Sequence, residues 1–171
     1  MKGMAPREPR RPSLVSLFLR SAIFWILAPG SVFALVPVLI LRASDVRWTV
    51  AAAVSEVAGV GLIILGTAVM LWCAVDFVLR GWGTAAPYDP PRRLVTGQLY
   101  TRVRNPMYLG GELILLGESL AFRSPGLLVW SVAMAVLWHL AVVFVEEPGL
   151  RRRFGPDYEA YTRRVPRWIM W

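Results

Sequence analysis

The sequence predicts an all-α integral membrane protein of about four transmembrane helices, closed at one end by an amphipathic C-terminal helix. Three observations carry that expectation. First, 56% of the 171 residues are hydrophobic, above the roughly 45–50% of soluble globular domains. The excess lies in long runs, as lipid-facing helices read. Second, many of the eight tryptophans stand near the ends of those runs, where membrane interfaces favour them. Third, the basic residues are sided. Sixteen Lys and Arg flank the runs on one side and three, Arg42, Arg47 and Arg123, on the other. That bias places both termini and the loop 80–104 in the cytoplasm, at a cell inner or plasma membrane.

The expected spans are 21–41, 57–79, 106–122 and 127–145, followed by a tail from Pro148 to Trp171. The first contains Pro29 and Pro37, tolerated in membrane helices where neighbours re-satisfy the freed carbonyls. The third is short, about 25 Å at 1.5 Å per residue, and carries Glu112 and Glu118. It should therefore be enclosed by the other helices. Arg123-Ser124-Pro125-Gly126 reads as a tight connection between the last two spans. The start of the third span and the end of the fourth then meet on the cytoplasmic side, beneath the loop and the tail. Residues 1–20 form a basic flank whose first ~12 are expected to be disordered. Residues 21–171 form a single domain. The opening resembles a signal peptide in outline, but its apolar run is too long and a second span follows, so a retained helix is expected.

Composition also narrows the function. The net charge of +8 could suggest nucleic acid, but arginines that flank apolar runs are accounted for by orientation and anionic headgroups, so no nucleic-acid partner is expected. Cys73 is the single cysteine, which excludes an intrachain disulfide. No Cys/His cluster accompanies His139, the single histidine, so no metal site is expected.

Polar residues gather at the cytoplasmic end. Asn105-Pro106 reads as a helix start, with Asn capping and Pro in the first helical position. Its free N–H groups would favour an anion. Met107 and Tyr108 follow, then Gly110-Gly111, which permit close approach of backbone or ligand. Glu146-Glu147-Pro148 puts two carboxylates at what reads as a helix C-terminus, where the dipole opposes them. They call for compensation by nearby arginines or by a cationic ligand. In the tail, Leu150, Phe154, Tyr158 and Tyr161 share one helical face, interrupted at Gly155-Pro156. Asp76 and Arg80, four apart, should pair. Ser55, Gly59 and Gly66 make a small-residue stripe suited to close packing. His139 and Glu112 suit either helix–helix hydrogen bonds or the polar wall of an acceptor pocket.

The ordered set Arg104-Asn105-Pro106-Met107-Tyr108-Leu109-Gly110, Glu146-Glu147, Leu150, Phe154-Gly155, Tyr158, Tyr161 and Val165-Pro166-Arg167 resembles the isoprenylcysteine carboxyl methyltransferase and phospholipid methyltransferase superfamily. Gly83-Thr84, Leu94-Val95, Gly97 and Tyr100 also fit, so the resemblance spans 81–168. It implies methyl transfer from S-adenosylmethionine to a lipophilic acceptor, an isoprenylcysteine carboxylate, a phospholipid amine or similar, that enters from the membrane. It implies a cofactor site lined by Leu94, Val95, Tyr100, Asn105, Pro106, Met107, Tyr108, Glu146 and Glu147. Arg102 or Arg104 would assist at the cofactor carboxylate, Glu147 would act as base or orienter, and His139 and Glu112 would face the acceptor. The carboxyl methyltransferases usually carry His where this chain has Asn105. Asn is no proton acceptor near neutral pH, and it occurs there in the phospholipid N-methyltransferases. Two other classes compete: a reductase-like membrane protein binding a nicotinamide cofactor, and a non-enzymatic membrane subunit or scaffold.

Overall fold

The computed structural model describes residues 13–44, 53–84 and 91–168. The expected disorder of the first residues lies outside these. Every regular element among the described residues is helical, and Leu94-Val95 is an irregular stretch. The elements are α1 (Leu14–Gly30), α2 (Val36–Arg42), α3 (Ala53–Asp76), α4 (Pro106–Ala121), α5 (Pro125–Ala141) and α6 (Glu147–Thr162), with a 3₁₀ turn at Gln98–Thr101.

Three π-helical turns extend these helices: Ser31–Leu35, Phe77–Gly81 and Val142–Glu146. Two precede a proline. The Val36 N–H reaches back to Ser31 O just before Pro37, and the Glu147 N–H reaches Val142 O just before Pro148. A proline removes one i→i−4 donor and crowds the preceding turn. Widening that turn lets the helix run on. Hence α5 does not stop at Glu146-Glu147. It continues through them to Phe154, where Gly155 (φ 50°, ψ −125°) kinks the chain before the last turns to Thr162, at the interruption expected at Gly155-Pro156. This corrects the reading of the two carboxylates as a helix C-terminus.

Two helices, Val54–Gly81 and Pro125–Thr162, are long and apolar enough to cross a membrane. The unbroken part of the second, 125–154, is about 45 Å long at 1.5 Å per residue, against a hydrocarbon core of about 30 Å. Its arginine-rich end must therefore project. Outward faces of both carry large apolar side chains, among them Val57, Ile64, Val129 and Phe144, far more than a water-facing surface keeps.

The glycine stripe of α3 packs on α4. A Cβ at Gly66 would lie 2.4 Å from Gly110 O, and one at Gly59 would lie 2.5 Å from Gly117 O. The contact is reciprocal, since Gly110 faces Gly66 O and Gly117 faces Gly59 O. The two helices therefore run antiparallel with backbones nearly touching. That encloses α4, as its carboxylates require: Gly110, Gly111, Ile114, Leu115 and Glu118 are buried. At the Gly81 end of α3, Cys73, Val95 and Tyr100 form a small core. Asp76 pairs with Arg80 at 3.5 Å, as their spacing suggests. Trp130 Nε1 donates to Val32 O at 3.1 Å, tying α5 to the first helix.

Candidate active site

Helix α4 begins at Pro106 with Asn105 at the cap position, but the Asn105 side chain makes no cap bond. Its Nδ2 instead donates to Arg167 O at 3.0 Å. The expected capping role is thus corrected: the amide holds the tail. The tail is held twice more. Arg104 N–H donates to Pro166 O at 2.9 Å, and the Arg167 guanidinium grips Glu147 through Nε at 2.6 Å and Nη2 at 3.0 Å. Arg104 Nη1 lies 3.1 Å from the same carboxylate.

Glu147 is buried, with both oxygens engaged. Burial is the largest single influence on its carboxyl and pushes its pKa up, but the Arg167 hydrogen bond and the charges of Arg104, Arg167 and Arg151 outweigh it and leave the pKa below the ordinary range. The same bond raises the Arg167 pKa. A carboxylate so held is a poor proton acceptor. Its position is that of a clasp closing α6, the start of α4 and the tail.

The clasp brings Trp168 over a cleft of about 250 Å³ that Tyr108, Glu112, Trp138, His139 and Trp168 help to line. Trp168 Nε1 donates to His139 Nδ1 at 3.0 Å. The Tyr108 ring stands 5.5 Å from Trp138 and 6.4 Å from Trp168. The Tyr108 hydroxyl donates to Glu146, and the Ser131 hydroxyl donates to Glu112 Oε1. Glu112 Oε2 is buried with no hydrogen-bond partner among the described residues. The structure thus joins Tyr108, Glu146, Glu112 and His139 around one aromatic cleft. Trp138, Ser131 and the lid position of Trp168 carried no sequence signal beyond apolar periodicity and an interfacial tryptophan.

A second cavity, of about 790 Å³, opens between residues 92–101 and α6. Leu94 lines it, whereas Val95 points inward to Cys73 and Tyr100. Burial pushes the Tyr100 phenol well above its ordinary pKa, with the nearby Cys73 adding to the effect. The Tyr161 hydroxyl donates to Tyr100 O at 2.7 Å. The residues expected at one cofactor site therefore divide. Tyr108 stands at the cleft and Glu146 beside it through their bond. Leu94 lies on the outer cavity, and Arg104 and Glu147 lie in the clasp.

With this geometry, the comparison with known families decides the class. The sequence model of the phospholipid methyltransferase family matches residues 54–157. The chain belongs to the phospholipid methyltransferase family. The match takes in α3, which the motifs alone did not reach, and ends before Tyr158, Tyr161 and the clasped tail. No curated protein and no solved structure shows a significant match. The family and the two long apolar helices together make the chain a membrane protein of a methyltransferase family.

Proposed function

We propose that this phospholipid methyltransferase family member moves a methyl group from S-adenosylmethionine to the amine of a membrane lipid, with the amine seated in the aromatic cleft. In this reading α1–α2, α3, α4 and α5 are four crossings. Both termini and the site lie at the cytoplasmic face, where the arginine bias puts them.

The observation that carries the acceptor assignment is the lining of the cleft. The rings of Tyr108, Trp138 and Trp168 surround a space that Glu112 also lines. Aromatic faces attract cations, and a buried carboxylate oxygen without a donor calls for one. An ammonium headgroup meets both needs. An isoprenylcysteine carboxylate would meet repulsion from Glu112 and Glu146. An amine must lose a proton before it can attack. Glu112 Oε2, free of a donor, is the group we assign to receive it.

The cofactor fits on a separate observation. Arg104 Nε is buried without a hydrogen-bond partner among the described residues, and S-adenosylmethionine brings a carboxylate that a guanidinium binds well. Glu146, oriented by the Tyr108 hydroxyl, suits an ammonium or ribose hydroxyls. When bound, S-adenosylmethionine supplies a methyl group on a positive sulfonium. Tyr108 and Trp168 exclude water from the cleft, and the α3–α4 contact fixes the helix that carries Tyr108 and Glu112. Positioning and desolvation of this kind supply most of the rate for an in-line displacement.

Titration of S-adenosylmethionine into purified protein in lipid nanodiscs tests the cofactor half. Wild type should bind saturably, and Glu146→Gln and Arg104→Gln should each bind about tenfold more weakly, since a charge-assisted hydrogen bond contributes about 1.5–3 kcal/mol. Folded wild type that binds NADPH and no S-adenosylmethionine would replace this reading with the reductase one. Binding of neither would leave a scaffold.

A further inference from the structure

We propose that the groove between residues 92–101 and α6 binds the phosphate of an anionic bilayer lipid that is not the methyl acceptor. This goes beyond the methyltransferase reading. It rests only on the membrane placement of the helices.

The groove has a volume of about 790 Å³ and shares no lining residue with the aromatic cleft. Its walls carry Arg92, Arg93 and Arg164 against one carboxylate, Asp157, among the described residues. Leu94 and Phe154 also line it. Planar guanidinium groups match phosphate oxygens two at a time, and the apolar lining suits the glycerol and first acyl carbons of a lipid.

Its position follows from backbone bonds. Arg92 and Arg93 donate their amide N–H groups to Gly81 O at 2.7 and 3.1 Å. Gly81 is the last residue of a helix apolar and long enough to cross a membrane. The two arginines therefore start where the apolar helix stops, at the depth of lipid phosphates. Arg93 is further fixed over the Trp82 ring, 3.6 Å from its centroid. The opposite wall is tied down by the Tyr161–Tyr100 bond at 2.7 Å. Charge argues against S-adenosylmethionine as the occupant: its sulfonium and ammonium outnumber its carboxylate, and the guanidinium groups of Arg93 and Arg164 would repel it.

Native mass spectrometry of the protein released from phosphatidylcholine nanodiscs doped with phosphatidylglycerol reads the bound lipid directly. Arg93→Gln/Arg164→Gln should weaken phosphatidylglycerol retention about thirtyfold, because each of the two arginines near the surface contributes about 1 kcal/mol. Asp157→Asn should strengthen it. Arg152→Gln/Arg163→Gln removes two exposed arginines that do not line the groove and should leave retention unchanged. Unaltered melting temperatures verify that the variants are folded. Equal losses in the two double variants would overturn the site in favour of diffuse attraction. Full competition by soluble glycerol phosphate would assign a soluble ligand instead, and displacement by S-adenosylmethionine would assign the groove to the cofactor. Either result overturns the lipid proposal.

Discussion

Glu147→Ala is expected to destabilise the protein by about 3 kcal/mol and to free the tail from the start of α4. Removing one partner of a buried ion pair costs about 3–5 kcal/mol, because the remaining charge stays desolvated. Arg104 is the partner left behind, with its side chain only 11% exposed, whereas Arg167, at 33%, can turn toward water. The lower end of the range therefore applies. Losing the clasp also removes the force that seats Trp168 on His139. Hydrogen exchange at residues 165–168 should rise in the variant while exchange in α3 stays slow. A melting temperature equal to that of wild type would show that the clasp is not what holds the tail.

The same group sets a pH dependence. The Glu147 carboxyl has its pKa lowered in the folded protein, against an ordinary value of about 4.3. A depressed folded value means the stabilisation is fully present above the unfolded value and is lost as pH falls through the folded one. The stability gap between wild type and Glu147→Ala should thus be constant from neutral pH down to about 5 and close only in more acidic solution. A gap that closes between pH 7 and 5 would contradict the assignment.

Gly66→Ala is the second large effect. The new Cβ would lie 2.4 Å from Gly110 O and 3.0 Å from Ile114 N. Both are backbone atoms, so no side-chain rotation relieves the clash. Overpacking of this kind costs about 1–3 kcal/mol, occasionally more, and the helices must move apart to accommodate it. The upper end is expected, with the displacement carried to Tyr108, which lies half a turn from Gly110 on the same helix. Gly61→Ala is the control, since a Cβ there meets nothing within 4 Å. The check is thermal unfolding in one detergent for both variants. Equal stability would mean that α3 and α4 do not meet through these glycines.

These residues also show what the sequence could and could not disclose. The Asn105-Pro106 boundary was legible because proline fixes the first helical turn. The glycine stripe announced a close contact but not its partner, since periodicity describes one helix at a time. The continuation of α5 into α6 was hidden. Glu146-Glu147-Pro148 reads as a stop, and only the π turn before it absorbs the missing N–H. Asn105 was a good cap by type, yet an acceptor 62 residues away, Arg167 O, claimed its amide. Long-range competition of this kind leaves no local signature. The two carboxylates were legible as a pair but not as a division of labour, which depends on Arg167 reaching one and Tyr108 the other.

Methylation of a lipid amine in the aromatic cleft can be read directly as methyl transfer. Purified protein in nanodiscs would receive S-adenosylmethionine carrying a labelled methyl group, with phosphatidylethanolamine as the offered acceptor. Wild type should yield labelled N-methylated lipid. Glu112→Gln should lose about a hundredfold or more of this activity, the typical contribution of a positioned general base, with S-adenosylmethionine binding unchanged. Absence of labelled N-methylated lipid from wild type that binds S-adenosylmethionine, or full activity in Glu112→Gln, would contradict it.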